Sequence, residues 1–110
     1  ENDLPRVSVV IVTFRCADIV VRTLRSLQSQ TWPGIEVVVV DNASGDDLPA
    51  VLAAEFPDIR LVPLAENVGF AEGCNIGVAH SDGELILLLN PDAWLEADGI
   101  EGLARALMED

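Results

Sequence analysis

The 110-residue chain contains no lysine: all six of its basic residues are arginines, set against 19 carboxylates, for a formal charge of −13. A surface this acidic repels phosphate backbones, so nucleic acid is excluded as a partner. It also repels any small anion unless a cation screens the contact. Cysteine is scarce as well. Cys16 and Cys74 are far apart, fit no zinc spacing and are too few for a disulfide framework, which points to a reducing, cytoplasmic setting. No apolar run reaches the length of a membrane span and no signal-peptide pattern is visible. Internal repeats, low-complexity tracts and linkers are missing too. The first residue is Glu rather than Met, and "GLARALMED" ends within a helical pattern. The chain therefore reads as one domain, 1–110, cut from a longer protein. Half of its residues are hydrophobic, which is enough for a single core.

The hydrophobic pattern alternates between two periods. "VSVVIVT" (7–13) and "IEVVVV" (35–40, closed by Asp41) are β-branched runs suited to strands covered on both faces. "IRLVPL" gives a short strand at about 59–63, with Pro63 marking an irregular exit, and "ELILLL" gives a fourth at 84–89. Helices are expected between them: 18–29, with Ile19, Val20, Thr23, Leu24 and Leu27 on one stripe and Asp18 as N-cap, then about 47–55, then 70–80, and a last one beginning near Glu96 or Asp98. This β-α-β-α-β-α-β-α order predicts a mainly parallel sheet in a three-layer α/β/α arrangement.

In open α/β sheets, ligands bind beyond the carboxyl ends of the strands. Those ends carry Thr13-Phe14-Arg15, Asp41-Asn42, Glu66-Asn67-Val68-Gly69 and Asn90-Pro91-Asp92. The turn after the first strand, "TFRCAD", has no glycine, so a dinucleotide fingerprint is excluded, and a P-loop is excluded by the absence of lysine. What is left is a rim rich in carboxylates and amides. Such a rim can take a nucleoside diphosphate when Mg²⁺ or Mn²⁺ bridges a protein carboxylate and the phosphates. The cation then stabilises the charge that builds on the leaving diphosphate.

Three segments, "VSVVIVTF", "LQSQTWPGIEVVVVDNASGD" and "ENVGFAEGCNIGVAHSDGELILLLNPD", in this order and spacing, resemble a family 2 glycosyltransferase of the GT-A (Rossmann-like) fold along essentially the whole chain. The resemblance implies a truncated nucleotide-diphospho-sugar-binding half of an enzyme. That enzyme would transfer a sugar from a UDP- or dTDP-sugar to a saccharide or lipid-linked acceptor, with inversion, in polysaccharide or cell-wall biosynthesis. It implies that Thr13 and Phe14 line the nucleoside pocket and that Asp41 accepts a hydrogen bond from the base. Asn90, Pro91 and Asp92 fall where many members carry Asp-x-Asp, which makes Asp92 the metal ligand and puts Asn90 on the ribose or a metal-bound water. Losing one carboxylate there weakens metal binding or makes the metal less strictly required. Asn-Pro-Asp resembles the rhamnosyltransferase-like branch, whose acceptors are cell-surface polysaccharides, so peripheral attachment to the inner membrane face is an expectation. The family's catalytic base lies beyond residue 110, so no catalytic residue is assigned and the chain alone is not expected to turn over.

Plainer readings stand beside these. Asp41-Asn42 also suits a turn, and Asn90-Pro91-Asp92 also suits a strand end followed by helix capping. Asn75 either bonds within its helix or faces the nucleotide. Gly73 and Gly77 read as close helix–sheet packing and Gly69 is open between packing and room for the donor. Arg15 is a surface residue or a phosphate partner, Glu72 a solvated position, His80 a helix-end partner, and Trp32 and Trp94 packing residues. An unpaired sheet edge invites self-association. The alternative function is a non-catalytic nucleotide- or partner-binding module of the same fold.

Overall fold

Four strands and four helices alternate along the chain: β1 (Val7–Thr13), α1 (Ala17–Gln28), β2 (Ile35–Asp41), α2 (Leu48–Glu55), β3 (Arg60–Pro63), α3 (Phe70–Ala79), β4 (Leu85–Leu88) and α4 (Gly99–Met108). They are seen in a computed structural model that describes residues 4–109. The sheet is wholly parallel, in the order β3-β2-β1-β4. Parallel strands need crossovers, and α1, α2 and α3 supply them. β1 is paired on both sides and buried along its whole length, as its near-continuous apolar sequence requires.

Strand periodicity divides the core into two layers. Val7, Val9 and Ile11 of β1 join Val39 of β2 against Val20, Leu24 and Leu27 of α1, Leu48 and Leu52 of α2, and Ile100 and Ala104 of α4. The alternate residues, Val10, Val12, Val38 and Val40, meet Cys74 of α3 on the other face. α3 lies very close to the sheet there. A Cβ placed on Gly77 would sit 2.4 Å from Val10 Cγ1, and one on Gly73 would sit 3.0 Å from Val12 Cγ1. Both glycines are therefore packing residues.

Several expectations need correction. Asp18 does not cap α1: Cys16 holds the N-cap position without a side-chain bond, and Asp18 lies in the first turn, where it meets the positive helix end. Ile19 leaves the apolar stripe and is 53% exposed. Trp94 is not a packing residue but is exposed. β3 and β4 are shorter than their apolar runs, because the partner strands provide register for only four residues of each. Pro63 ends β3 opposite Asp41, and Leu64 N–H then donates to Asp41 O at 2.9 Å, so the exit stays tied to β2.

Candidate functional site

The sheet order contains a switch. The chain runs outward from β1 to β2 and β3, then returns to the other side of β1 for β4. The loops leaving β1 and β4 therefore diverge and open a crevice at the carboxyl ends. A cleft of about 460 Å³ occupies this position, lined by Thr13, Phe14, Cys16, Asn42, Asn67, Gly69, Phe70, Asn90 and Pro91. Another hollow, of about 410 Å³, lies at the opposite pole, at the amino ends of β2 and β3, among Arg6, Glu36, Phe56 and Arg60.

Register sets the first two residues. Thr13 pairs with Asp41 at the ends of β1 and β2. Thr13 is buried and its hydroxyl donates to Val40 O at 3.3 Å. Asp41 is buried, and its Oδ1 accepts from Ser44 N–H at 3.1 Å. Ser44 Oγ in turn accepts from Arg15 N–H at 2.8 Å, which joins the turn after β2 to the turn after β1. These turns are conformationally costly. Arg15 (φ 54°) and Ala43 (φ 61°) occupy left-handed backbone, as do Gly45 and Gly69. All four lie in loops that follow strands, the pattern in which a folded scaffold supports strain at a site.

Asn42, read from the sequence only as a rim or turn residue, has a structural task. It is 3% exposed. Its Nδ2 donates to Gly69 O at 3.0 Å, and its Oδ1 accepts from Val68 N–H at 2.8 Å. One buried amide thus fastens the loop after β3 to the end of β2. Its only sequence signal was an amide directly after a carboxylate at a strand end. The loop after β4 is held by α1 instead. Thr23 Oγ1 donates within reach of both Pro91 O (2.6 Å) and Ala93 O (2.5 Å), and Gln30 Nε2 donates to Glu96 O at 2.7 Å while its Oε1 accepts from Ile100 N–H.

Asn90 lines the cleft and is exposed, and Asp92, also exposed, follows in the same turn. Burial pushes the Cys16 thiol above its ordinary pKa, and the charges of Asp46, Asp41 and Asp92 push it further. Asp46 lines a hollow together with Cys16 at the carboxyl end of the sheet. Phe14 is 44% exposed and carries the Arg15 guanidinium 4.7 Å from its ring centre. Asn75 is exposed on α3 and is not among the residues lining the cleft. Glu72 is exposed, and His80 at the end of α3 places Nδ1 2.9 Å from Ile76 O, a helix-end contact. Cys16 and Cys74 are free thiols.

Among the described residues no group of three or more His, Cys, Asp or Glu side chains forms a metal cage. In the turn after β4, Asp92 presents an exposed carboxylate with the Asn90 amide two residues before it. That set suits a hard cation such as Mg²⁺, which takes one or two protein oxygens and completes its shell with phosphates and water.

Fold and cleft position together define an α/β domain of the GT-A type. TarS 1–349 of S. aureus, solved with UDP, superposes with a TM-score of 0.85 over 94% of this chain and 32% of that one, at 24% identity. The family model for glycosyl transferase family 2 matches residues 8–110, and the chain belongs to that family. The succinoglycan biosynthesis protein ExoO of Rhizobium meliloti (strain 1021) is 35% identical over 98 residues, covering 88% of this chain and 28% of that protein. The mannosyltransferase PcManGT from Pyrobaculum calidifontis, solved with GDP-Man and Mn²⁺, is 33% identical with a TM-score of 0.78, covering 94% of this chain and 31% of that one. The chain thus spans less than a third of the length of these proteins.

Proposed function

We propose that this chain is the donor-binding portion, a single domain, of a longer glycosyltransferase that moves a sugar from a UDP- or dTDP-sugar to a saccharide or lipid-linked acceptor, with inversion, in polysaccharide or cell-wall assembly. The observation that carries the proposal is the gathering of Thr13, Phe14, Asn42 and Asn90 on one cleft at the switch point, with Asp41 paired to Thr13 at the ends of β2 and β1 and Asp92 in the same turn as Asn90. In this reading Asp41 accepts the imide N–H of the base, a task suited to an ionised carboxylate that only accepts. Thr13 and Phe14 flank the nucleoside. Asn90 meets the ribose or a metal-bound water, and Asn75 contributes from α3 only if the bound donor reaches past the cleft. Asp92 holds Mg²⁺ or Mn²⁺, whose positive charge offsets a protein of net charge −13. The general base is taken to lie outside this chain, as the family resemblance implies, so the chain alone binds without reacting.

Two free thiols fit a cytoplasmic location, with peripheral attachment at the inner membrane face through segments outside this chain. Among the described residues no helix is long and apolar enough to cross a membrane. The rhamnosyltransferase-like assignment rests on Asn90-Pro91-Asp92 alone. A guanine donor is the second reading, favoured by the 33% identity to a protein solved with GDP-Man. A non-catalytic binding module of the same fold is the competing one.

Isothermal calorimetry separates these readings. UDP, dTDP and GDP are titrated into the chain with and without Mn²⁺, and into Asp41→Ala and Asp92→Ala. Metal-dependent binding of UDP or dTDP, weakened by both substitutions, is the expected result. Preference for GDP reassigns the base, full metal dependence in Asp92→Ala removes Asp92 from the metal, and no nucleotide binding at all leaves the non-catalytic module.

A further inference from the structure

The five aromatic side chains are sorted between the two poles of the sheet. Trp32 and Phe56 are each 3% exposed and sit in the connections that lead into the amino ends of β2 and β3. Phe14 (44% exposed), Phe70 (59%) and Trp94 (58%) lie in the stretches that leave β1, β3 and β4. Phe14 and Phe70 both line the cleft. A bare phenyl ring costs free energy in water, and rings presented in a concave site are the usual anchors of a ligand.

Phe70 is also held firmly for an exposed residue. It opens α3 directly after Gly69, whose left-handed backbone (φ 88°) turns the chain into the helix. Gly69 O accepts from Asn42 Nδ2, Val68 N–H donates to Asn42 Oδ1, and Gly69 N–H donates to Asn67 Oδ1 at 2.8 Å. Asn42 is the immediate neighbour of Asp41, so the backbone that leads into Phe70 is tied to the end of β2. Phe14 already has a guanidinium against its ring. Phe70 has no such partner among the described residues.

We infer that Phe70 is the second stacking wall of the cleft, taking the planar face of the donor's base across from Phe14. This rests on the reading of the cleft as a nucleotide site. Stacking requires no positive charge, which suits a chain with no lysine and 19 carboxylates. It gives affinity with little base selectivity, because every base has a π-face, and it leaves selectivity to Asp41.

Binding of UDP, dTDP and GDP, each with Mn²⁺, is measured for the wild-type chain, Phe70→Ala and Phe70→Trp, with pyrophosphate and Mn²⁺ as a probe that lacks a base. Phe70→Ala is expected to weaken the preferred nucleotide about 10- to 100-fold, the span observed when a base-stacking aromatic is removed. Its pyrophosphate affinity and melting temperature stay at wild-type values, and Phe70→Trp binds within about threefold of wild type with its added emission quenched. The inference is overturned if folded Phe70→Ala binds the nucleotide as wild type does, or loses pyrophosphate equally. A wild-type chain that binds pyrophosphate but no nucleotide overturns the nucleotide reading and this inference together. A wild type that binds nucleotide regardless of residue 70 overturns only this one.

Discussion

Removing the Asn42 side chain tests how the rim is built. In Asn42→Ala the bonds to Val68 N–H (2.8 Å) and Gly69 O (3.0 Å) are lost together. Each such bond contributes about 1 kcal/mol net, and a buried donor left without a partner costs about 1–3 kcal/mol. Val68 is half-buried and Gly69 is exposed, so water replaces part of the loss. The expected destabilisation is about 2 kcal/mol, which lowers Tm by about 9 °C in a domain of this size. Urea unfolding measures the global term, and amide hydrogen exchange measures the local one. The Val68 amide should fall to the protection of an open loop, while the β1 amides lose only what the global change accounts for. Asn42→Asp keeps the acceptor for Val68 but faces Gly69 O with a carboxylate oxygen and sets a second charge beside Asp41. It should therefore keep Val68 protection and still be destabilised. A variant Asn42→Ala within about 0.5 kcal/mol of wild type, the range of an ordinary surface substitution, with Val68 still protected, would refute the assignment of this amide as the clasp between β2 and the loop.

At the opposite pole Glu36 is buried, a burden that raises its pKa, yet the Asp82 N–H (2.7 Å), the Ser8 hydroxyl (2.6 Å) and the charges of Arg6 and Arg60 hold it below its ordinary value of 4.5. A depressed folded pKa means that its contribution is complete above about pH 4.5 and is lost as the pH falls through the folded value; Glu36→Gln should flatten that part of the stability–pH curve measured by urea unfolding. Gly77→Ala puts a methyl 2.4 Å from Val10 Cγ1 and should cost about 1–3 kcal/mol by overpacking, with Val10→Ala on the same chain recovering part of it in thermal melts. The β4 edge carries Ile86 (39% exposed) and Leu88 (51%) on the α3 side, where α3 covers only β1 and β2. The chain by itself should therefore self-associate in sedimentation velocity, and Leu88→Lys should return it to a monomer; a wild type that stays monomeric up to its solubility limit defeats that expectation.

Residues that answer to local rules were legible in the sequence. β1 and β2 came from β-branched runs, and with them the placing of Thr13, Asp41 and Asn90 at the carboxyl ends of strands; their roles came from the family resemblance. Errors arose where tertiary contacts overrode local preference. Ile19 fits the α1 stripe by spacing, but it faces an open hollow shared with Asp46 and Asp47 and stays exposed, and Trp94 projects from a loop fixed by its backbone rather than its ring. The fasteners were the least visible part. Asn42 reaches 26 and 27 residues along the chain and Thr23 reaches 68 and 70, so no window on the sequence contains both partners. A signal did exist: Thr23 and Ser26 interrupt the buried stripe of α1, and Ser8 and Glu36 interrupt apolar strands at paired positions. Polar groups at core positions need partners, and each of these four has one.

The two poles of the sheet differ in the kind of order they hold. The amino-end pole buries its aromatics and satisfies Glu36 from several sides. The carboxyl-end pole exposes three aromatics, places Arg15 and Ala43 in left-handed backbone, and carries Asp41, Asp46 and Asp92 at strand ends and in the turns that follow them. A non-glycine residue in that conformation costs about 1–2 kcal/mol, and neighbouring carboxylates repel. Nothing in folding alone rewards such an arrangement. It persists because β1 and β2 are paired over seven residues, with Ser44 and Asn42 tying the loops to their ends. A divalent cation with a diphosphate would relieve the charge, and a planar base would cover the rings. Both kinds of stress at the rim therefore have the same remedy, and it is the sugar–nucleotide donor proposed for the cleft.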